Sequence, residues 1–220
     1  KHTGSGANKE RQSSPHVHCT VISPDNKWLF VCDLGIDKIM IYAFDEKTGK
    51  LTEGKQPFYA SAPGDGPRHF TFSPDSKHAY LIEELSGHII AFDYKDGQLT
   101  ETQRISTMPE GQVGFPGSAD IHLSPDGKFL YGTNRGDLNT IATYKVDATT
   151  GKLTNLNYQS VMGKAPRNFN FDPSANFVLV ANQDSDEIVI FKRNKETGEL
   201  TDSGKRISVG MPVCVKWIKM

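Results

Sequence analysis

The chain has 220 residues, 36% hydrophobic and 23% charged, with a formal net charge of -1. That composition is that of an ordinary globular protein and supplies no basic field to attract nucleic acid or an acidic membrane. No apolar run approaches the ~20 residues of a membrane helix, and Cys19, Cys32 and Cys214 lie too far apart to suggest a metal knuckle or a disulfide framework. Reduced thiols, a cytoplasmic location, no cofactor and no metal are the expectations that follow.

The first fourteen residues, Lys1 to Ser14, are polar, have no signal-peptide core and read as a loop entering the fold. His18–Ile22 is a strand candidate, and Ser23-Pro24-Asp25-Asn26 is a tight turn: proline presets φ, and aspartate or asparagine tolerates the next positions. Trp28–Cys32 and Ile39–Phe44 read as the second and third strands. Lys47-Thr48-Gly49-Lys50 turns the chain again, and a weaker, more polar strand begins at Leu51. The turn then recurs as Ser73-Pro74-Asp75-Ser76, Ser124-Pro125-Asp126-Gly127 and Asp172-Pro173-Ser174-Ala175, at steps of 50, 51 and 48 residues. No segment has a convincing helical period.

Four antiparallel strands repeating at that spacing predict an all-β fold, a β-propeller. The blades run at about 15–65, 66–115, 116–164 and 165–210 of a single partial domain, with a lone closing strand at 211–220. Pro212–Trp217 aligns with Pro166–Phe171, so the chain ends inside a repeat. The open count suggests the C-terminal portion of a larger ring, completed by further blades of the same protein or by a second chain.

Aligned on the turn proline, the blade ends collect polar groups. Six residues before it stand His18, Arg68, Ala119 and Arg167, and five before it Cys19, His69, Asp120 and Asn168. Nine after it stand Asp33, Glu83, Asn134 and Asn182, and ten after it Leu34, Glu84, Arg135 and Gln183. Strand alternation puts His16 and His18 on one side, and puts His69 opposite Arg68, as a structural residue. His78, His88 and His122 read as surface or packing residues, and no third ligand completes a metal site at His16 and His18. The aromatics Phe72, Tyr80, Phe92 and Phe191 fall within strands and read as blade core, so a pocket for a small molecule is favoured over an aromatic protein-binding platform. Arginines in that pocket would grip an anion, and histidine or glutamate would move protons.

Several segments resemble the propeller-type lactonases. They are Gly4-Ser5-Gly6 with Arg11-Gln12, Pro15-His16-Val17-His18, Asp33-Leu34-Gly35-Ile36-Asp37-Lys38-Ile39, Gly66-Pro67-Arg68-His69, Glu84-Leu85-Ser86, Asn134-Arg135-Gly136, Pro166-Arg167-Asn168-Phe169 and Ala181-Asn182-Gln183-Asp184-Ser185. The likeness covers essentially the whole chain. It implies a seven-bladed propeller of the family that holds bacterial 6-phosphogluconolactonase and fungal carboxy-muconate lactonizing enzyme. The implied activity is hydrolysis of a sugar lactone, above all 6-phosphogluconolactone to 6-phosphogluconate in the pentose phosphate pathway. Muconate cycloisomerisation and a non-catalytic binding module are the alternatives. The implied catalytic group is His18, Arg68, Glu84 and Arg135, with His16, Asp33, Asn134, Arg167, Asn182 and Gln183 as substrate-binding candidates. The implied partner is a small lactone or phosphosugar, with neither nucleic acid nor membrane. Glu83 departs from the asparagine often found there, and its carboxylate stands beside Glu84 where it could repel a phosphate.

Overall fold

A computed structural model describes residues 1–218, which divide into two compact units, 1–106 and 107–220, the latter described to residue 218. The first unit holds two four-stranded antiparallel sheets. One is β1 (Val17–Ile22), β2 (Trp28–Asp33), β3 (Lys38–Phe44) and β4 (Leu51–Ala60). The other is β5 (Pro67–Phe72), β6 (His78–Glu83), β7 (His88–Lys95) and β8 (Gln98–Ser106). The second unit repeats the plan with β9 (Ser118–Leu123), β10 (Phe129–Asn134), β11 (Thr140–Val146) and β12 (Leu153–Ser160). Its last sheet is β13 (Pro166–Phe171), β14 (Phe177–Asn182), β15 (Glu187–Arg193) and β16 (Leu200–Ser208). In each sheet the strands lie in chain order, the meander of a propeller blade. Among the described residues no helix is long and apolar enough to cross a membrane.

The recurring turns close by one device. The Ser23 hydroxyl donates to Asp25 Oδ1 at 2.6 Å and accepts the Trp28 N–H at 3.0 Å. Ser73 and Ser124 do the same with Asp75 and Asp126. In the fourth turn the residues trade places: Ser174 donates to Asp172 Oδ2 at 2.5 Å, and Asp172 Oδ1 accepts the Phe177 N–H at 2.7 Å. The fourth residue of each turn takes a left-handed conformation (φ 56° at Asn26, 58° at Ser76, 70° at Gly127, 57° at Ala175).

Between the sheets of each unit lies an apolar core. In the first it is built on Trp28, Phe30, Ile41, Phe70, Leu81 and Phe92, with the Phe30 and Phe70 rings stacked at 5.3 Å. In the second it is built on Phe129, Tyr131, Phe169, Val180, Val189 and Phe191. Tyr80, Phe92 and Phe191 are fully buried, and Phe72 packs against the first core. The outer strands are largely exposed, as the polar run from Leu51 implies, and β1 is exposed as well.

Two features differ from the sequence reading. Every inner strand starts with a β-bulge. Val17 pairs with Asp33 but Cys19 with Cys32, so His18 has no opposite number; Arg68 and Arg167 are extra in the same way, and one residue is extra between Ser118 and Ile121. The proposed closing strand is also not a strand. Residues 211–218 join no ladder and run beside β13 on three side-chain bonds: Val215 N–H to Asn168 Oδ1 (2.7 Å), Asn170 Nδ2 to the Val215 carbonyl (3.0 Å) and Trp217 Nε1 to the Phe171 carbonyl (2.6 Å). Backbone pairing is replaced there by amides reaching out from the inner strand. Its last two positions, 219 and 220, lie outside the described residues.

The entry loop is ordered by burial of one amide. Gln12, fully buried, donates through Nε2 to the Leu34 carbonyl (2.8 Å) and to Asp37 Oδ1 (2.6 Å). Asp37 also accepts the N–H groups of Gly64 (2.8 Å) and Gly66 (2.9 Å), so one carboxylate joins three loops. The loop can lie this close only because Gly35 has no side chain: a Cβ there would stand 1.9 Å from the Ser14 carbonyl oxygen. Gly35→Ala is therefore expected to cost about 1–3 kcal/mol through overpacking, measured by urea unfolding. An unchanged midpoint would mean that the entry loop moves aside without loss.

Candidate active site

In the first unit the residue six before the turn proline and the residue ten after it come together. The bulge frees Arg68 from the ladder, and β6 ends at Glu83, so Glu84 leaves the sheet at the same edge. Arg68 Nε donates to Glu84 Oε2 at 2.8 Å, and both side chains are almost wholly buried. The other oxygen, Oε1, is taken by Nη2 of Arg11 from the entry loop. One carboxylate thus serves two guanidiniums. A buried carboxylate is tolerated only with such compensation.

Beside this trio stand two imidazoles. The rings of His18 and His69 lie 5.0 Å apart, tilted by 54°, and His69 Nε2 is 3.4 Å from Arg68 Nη1. The expectation that His69 faces away from Arg68 rested on strict alternation, and the bulge breaks it. For the same reason His16 does not join His18. Its Nε2 meets the Ser14 hydroxyl at 3.3 Å, while its N–H donates to Asp33 Oδ1 at 2.7 Å. His18 is exposed and Arg68 is 1% exposed, so the imidazole rather than the inner guanidinium is the group open to solvent.

The substrate-binding candidates nine after the turn proline, Asp33, Asn134 and Asn182, sit inside the fold, and Glu83 sits there with them. All four are wholly buried. Asp33 Oδ2 pairs with His2 Nδ1 at 2.5 Å, and its Oδ1 caps Gly35 as well as His16. Asn134 accepts from Ser118 (2.6 Å) and donates to the Thr107 carbonyl (2.7 Å). Asn182 donates to the Val161 carbonyl at 3.1 Å. Asp33, Asn134 and Asn182 are each paired opposite the residue preceding a bulge, turn into the sheet, and tie down the segment that enters their blade. His2, too polar a neighbourhood to place from sequence, is part of that tie and also reaches the Tyr42 hydroxyl at 3.0 Å.

Glu83 is the fourth member of this set. It lies with Asp65, His88 and Arg104, a cluster the repeat alignment did not reveal. Arg104 Nη2 is 2.7 Å from Asp65 Oδ2, 3.3 Å from Glu83 Oε2 and 3.3 Å from His88 Nδ1. Asp65, Glu83 and His88 offer three ligand atoms within 4.8 Å of one another, but the guanidinium already stands where a cation would. Burial pushes the Glu83 carboxyl up to about 8. The Asp65 charge adds to the rise, while Arg104 and the Ser61 hydroxyl, which lies beside it without a well-formed hydrogen bond, oppose it. Burial, and then the Arg104 charge, lower the His88 imidazole.

The second unit holds the other candidates. Arg135 is half-buried and donates through Nε to the Gly117 carbonyl at 3.0 Å, a backbone cap. Arg167 is half-buried at its bulge and makes no ion pair among the described residues. Gln183 opens a short 3₁₀ turn, Gln183–Ser185, and its N–H donates to the Ala165 carbonyl at 3.0 Å. Ala119 is buried, and Asp120 ties β9 to β13 by accepting from Asn168 Nδ2 and the Phe169 N–H.

A cleft of about 740 Å³ opens elsewhere in the first unit, against His2, Pro15, Val17 and Tyr42. None of the His18, Arg68, Glu84 or Arg11 side chains lines it.

A family model described as a lactonase, 7-bladed β-propeller, matches residues 1–217. A Bacillus subtilis protein named 6-phosphogluconolactonase is 39% identical over 219 residues, which are 99% of this chain and 61% of that protein. A Bacteroides fragilis crystal structure superposes with a TM-score of 0.93 at 44% identity, covering 100% of this chain and 62% of that one. The structure of a Pseudomonas aeruginosa protein described as a periplasmic gluconolactonase does so with a TM-score of 0.93 at 38% identity, covering 99% and 61%. The chain thus spans about three fifths of the length of these relatives.

Because Glu83 binds its proton more tightly folded (about 8) than unfolded (4.5 in the free side chain), it favours the folded state most below the lower value. That contribution fades as pH rises towards 8. The thermal midpoint of Glu83→Gln relative to the parent should therefore climb between pH 6 and pH 9. A difference that stays flat with pH would refute the buried, proton-holding carboxyl.

Proposed function

Because the chain belongs to the seven-bladed β-propeller lactonase family, we propose that it contributes to hydrolysis of a sugar lactone, 6-phosphogluconolactone being the substrate its relatives' names indicate. The observation that carries the reading is the grouping of an exposed imidazole with a buried carboxylate clamped between two guanidiniums, all in the first unit. Ester hydrolysis needs a base for water and positive charge for the oxyanion of the tetrahedral intermediate.

His18 takes the proton from water as the oxygen attacks the lactone carbonyl carbon. The carbonyl oxygen becomes negative beside the Arg68 guanidinium. Collapse re-forms the carbonyl, breaks the ring C–O bond, and the imidazolium returns the proton to the departing ring oxygen, leaving the open hydroxy acid. Glu84 has both oxygens engaged by guanidiniums, which suits it to holding them in place rather than to accepting a proton.

The test is a panel of 6-phosphogluconolactone, glucono-δ-lactone and a carboxymuconate, followed by acid release and absorbance. The two sugar lactones should be opened and the muconate left unchanged. His18→Asn should lower turnover by about 10²–10⁴-fold, the usual worth of a general base, with its thermal midpoint intact. Muconate turnover without lactone hydrolysis, or full lactonase activity in the variant, would overturn the assignment.

A further inference from the structure

The entry loop is built to hold one side chain. Asn8 Oδ1 accepts the N–H groups of Glu10 and Arg11, each at 3.1 Å, and the Asn8 carbonyl accepts the Gln12 N–H at 2.7 Å. Gln12 Oε1 returns to the Asn8 N–H at 2.9 Å, while its Nε2 anchors the turn in the fold. An Asx-closed turn pinned by a buried glutamine is a rigid platform, and Arg11 is the residue it displays.

The guanidinium of Arg11 differs from that of Arg68. Arg68 has 1% of its side chain exposed, whereas Arg11 has 45%. Only Nη2 of Arg11 is spent on Glu84; its Nε and Nη1 groups donate to nothing among the described residues. The accessible guanidinium donors of this pair left unspent among the described residues are therefore those of Arg11. Guanidinium N–H pairs of that kind match the paired oxygens of phosphate.

We infer that Arg11 is a specificity-determining residue that binds a fixed phosphate on the substrate, with Glu84 and Arg68 as the positioning residues behind it. The inference rests on the lactonase reading for its choice of substrate, but not for its measurement.

Binding of two stable acids, 6-phosphogluconate and gluconate, is to be compared by calorimetry in the parent, Arg11→Ala and Arg11→Lys, with thermal midpoints as the folding control. The parent should prefer the phosphorylated acid. Arg11→Ala should weaken it by about 10–100-fold, the usual worth of hydrogen bonds to a charged group, and leave gluconate unchanged. Arg11→Lys should recover part of the preference, because an ammonium keeps the charge but loses the fork. A parent that does not prefer the phosphorylated acid overturns the inference. So does an alanine variant that binds both acids as the parent does, or that weakens both equally. If the preference and its loss are found but neither sugar lactone is hydrolysed, Arg11 keeps its role and the lactonase reading falls.

Discussion

The arrangement depends on one surplus residue at the head of each inner strand. A ladder without it would pair every residue from the blade end inward. With the bulge, the residue seven before the turn proline pairs with the residue nine after it, and the next residue is left over. The consequences are opposite for the two groups. Asp33, Glu83, Asn134 and Asn182 end inside the sheet, where their polar atoms must find partners. His18, Arg68 and Arg167 escape the ladder, so contacts outside it place their side chains. Bulges commonly redirect side chains next to active sites, and here the redirected residues include an imidazole and two guanidiniums.

Glu83 and Glu84 show how far neighbourhood outweighs residue type. They are adjacent, both buried, and both carboxyls. Glu83 ends its strand facing Asp65, with one guanidinium shared among three groups, and holds its proton. Glu84 steps past the strand end and meets two guanidiniums of its own. The concern that a second carboxylate would repel a phosphate weakens on this geometry, because burial and the neighbouring Asp65 push the Glu83 carboxyl towards its uncharged form.

Much of the fold was readable because it is written redundantly. The turn recurs four times, and its serine and aspartate do the same work even when exchanged, as at Asp172 and Ser174. The meeting of Arg68 with Glu84 was also accessible, since counting from the turn proline placed both at one blade end. The ties made by Asn134 and Asn182 were not, because a polar residue at a strand end reads alike whether it faces solvent or the incoming chain. The side on which His69 lies was misread, since a bulge is an insertion that leaves no mark on a pattern of period two. Arg11 was missed as a participant for a different reason. It lies outside the repeat, so no alignment of blades assigns it a position. The strand expected at Pro212–Trp217 shows the converse: sequence likeness to β13 does not make a strand where no neighbouring ladder pairs with it.

The ties at Asn134 and Asn182 also bear on cooperativity. Each amide grips the backbone of the segment that delivers the chain to its own blade, at Thr107 and at Val161. Linkage of that kind is nearest-neighbour, so stability accumulates along the array as a sum of local terms rather than as one indivisible quantity. Damage to one blade then weakens the grip on its predecessor first. A blade-end amide can in this way determine how large a portion of the chain melts as one.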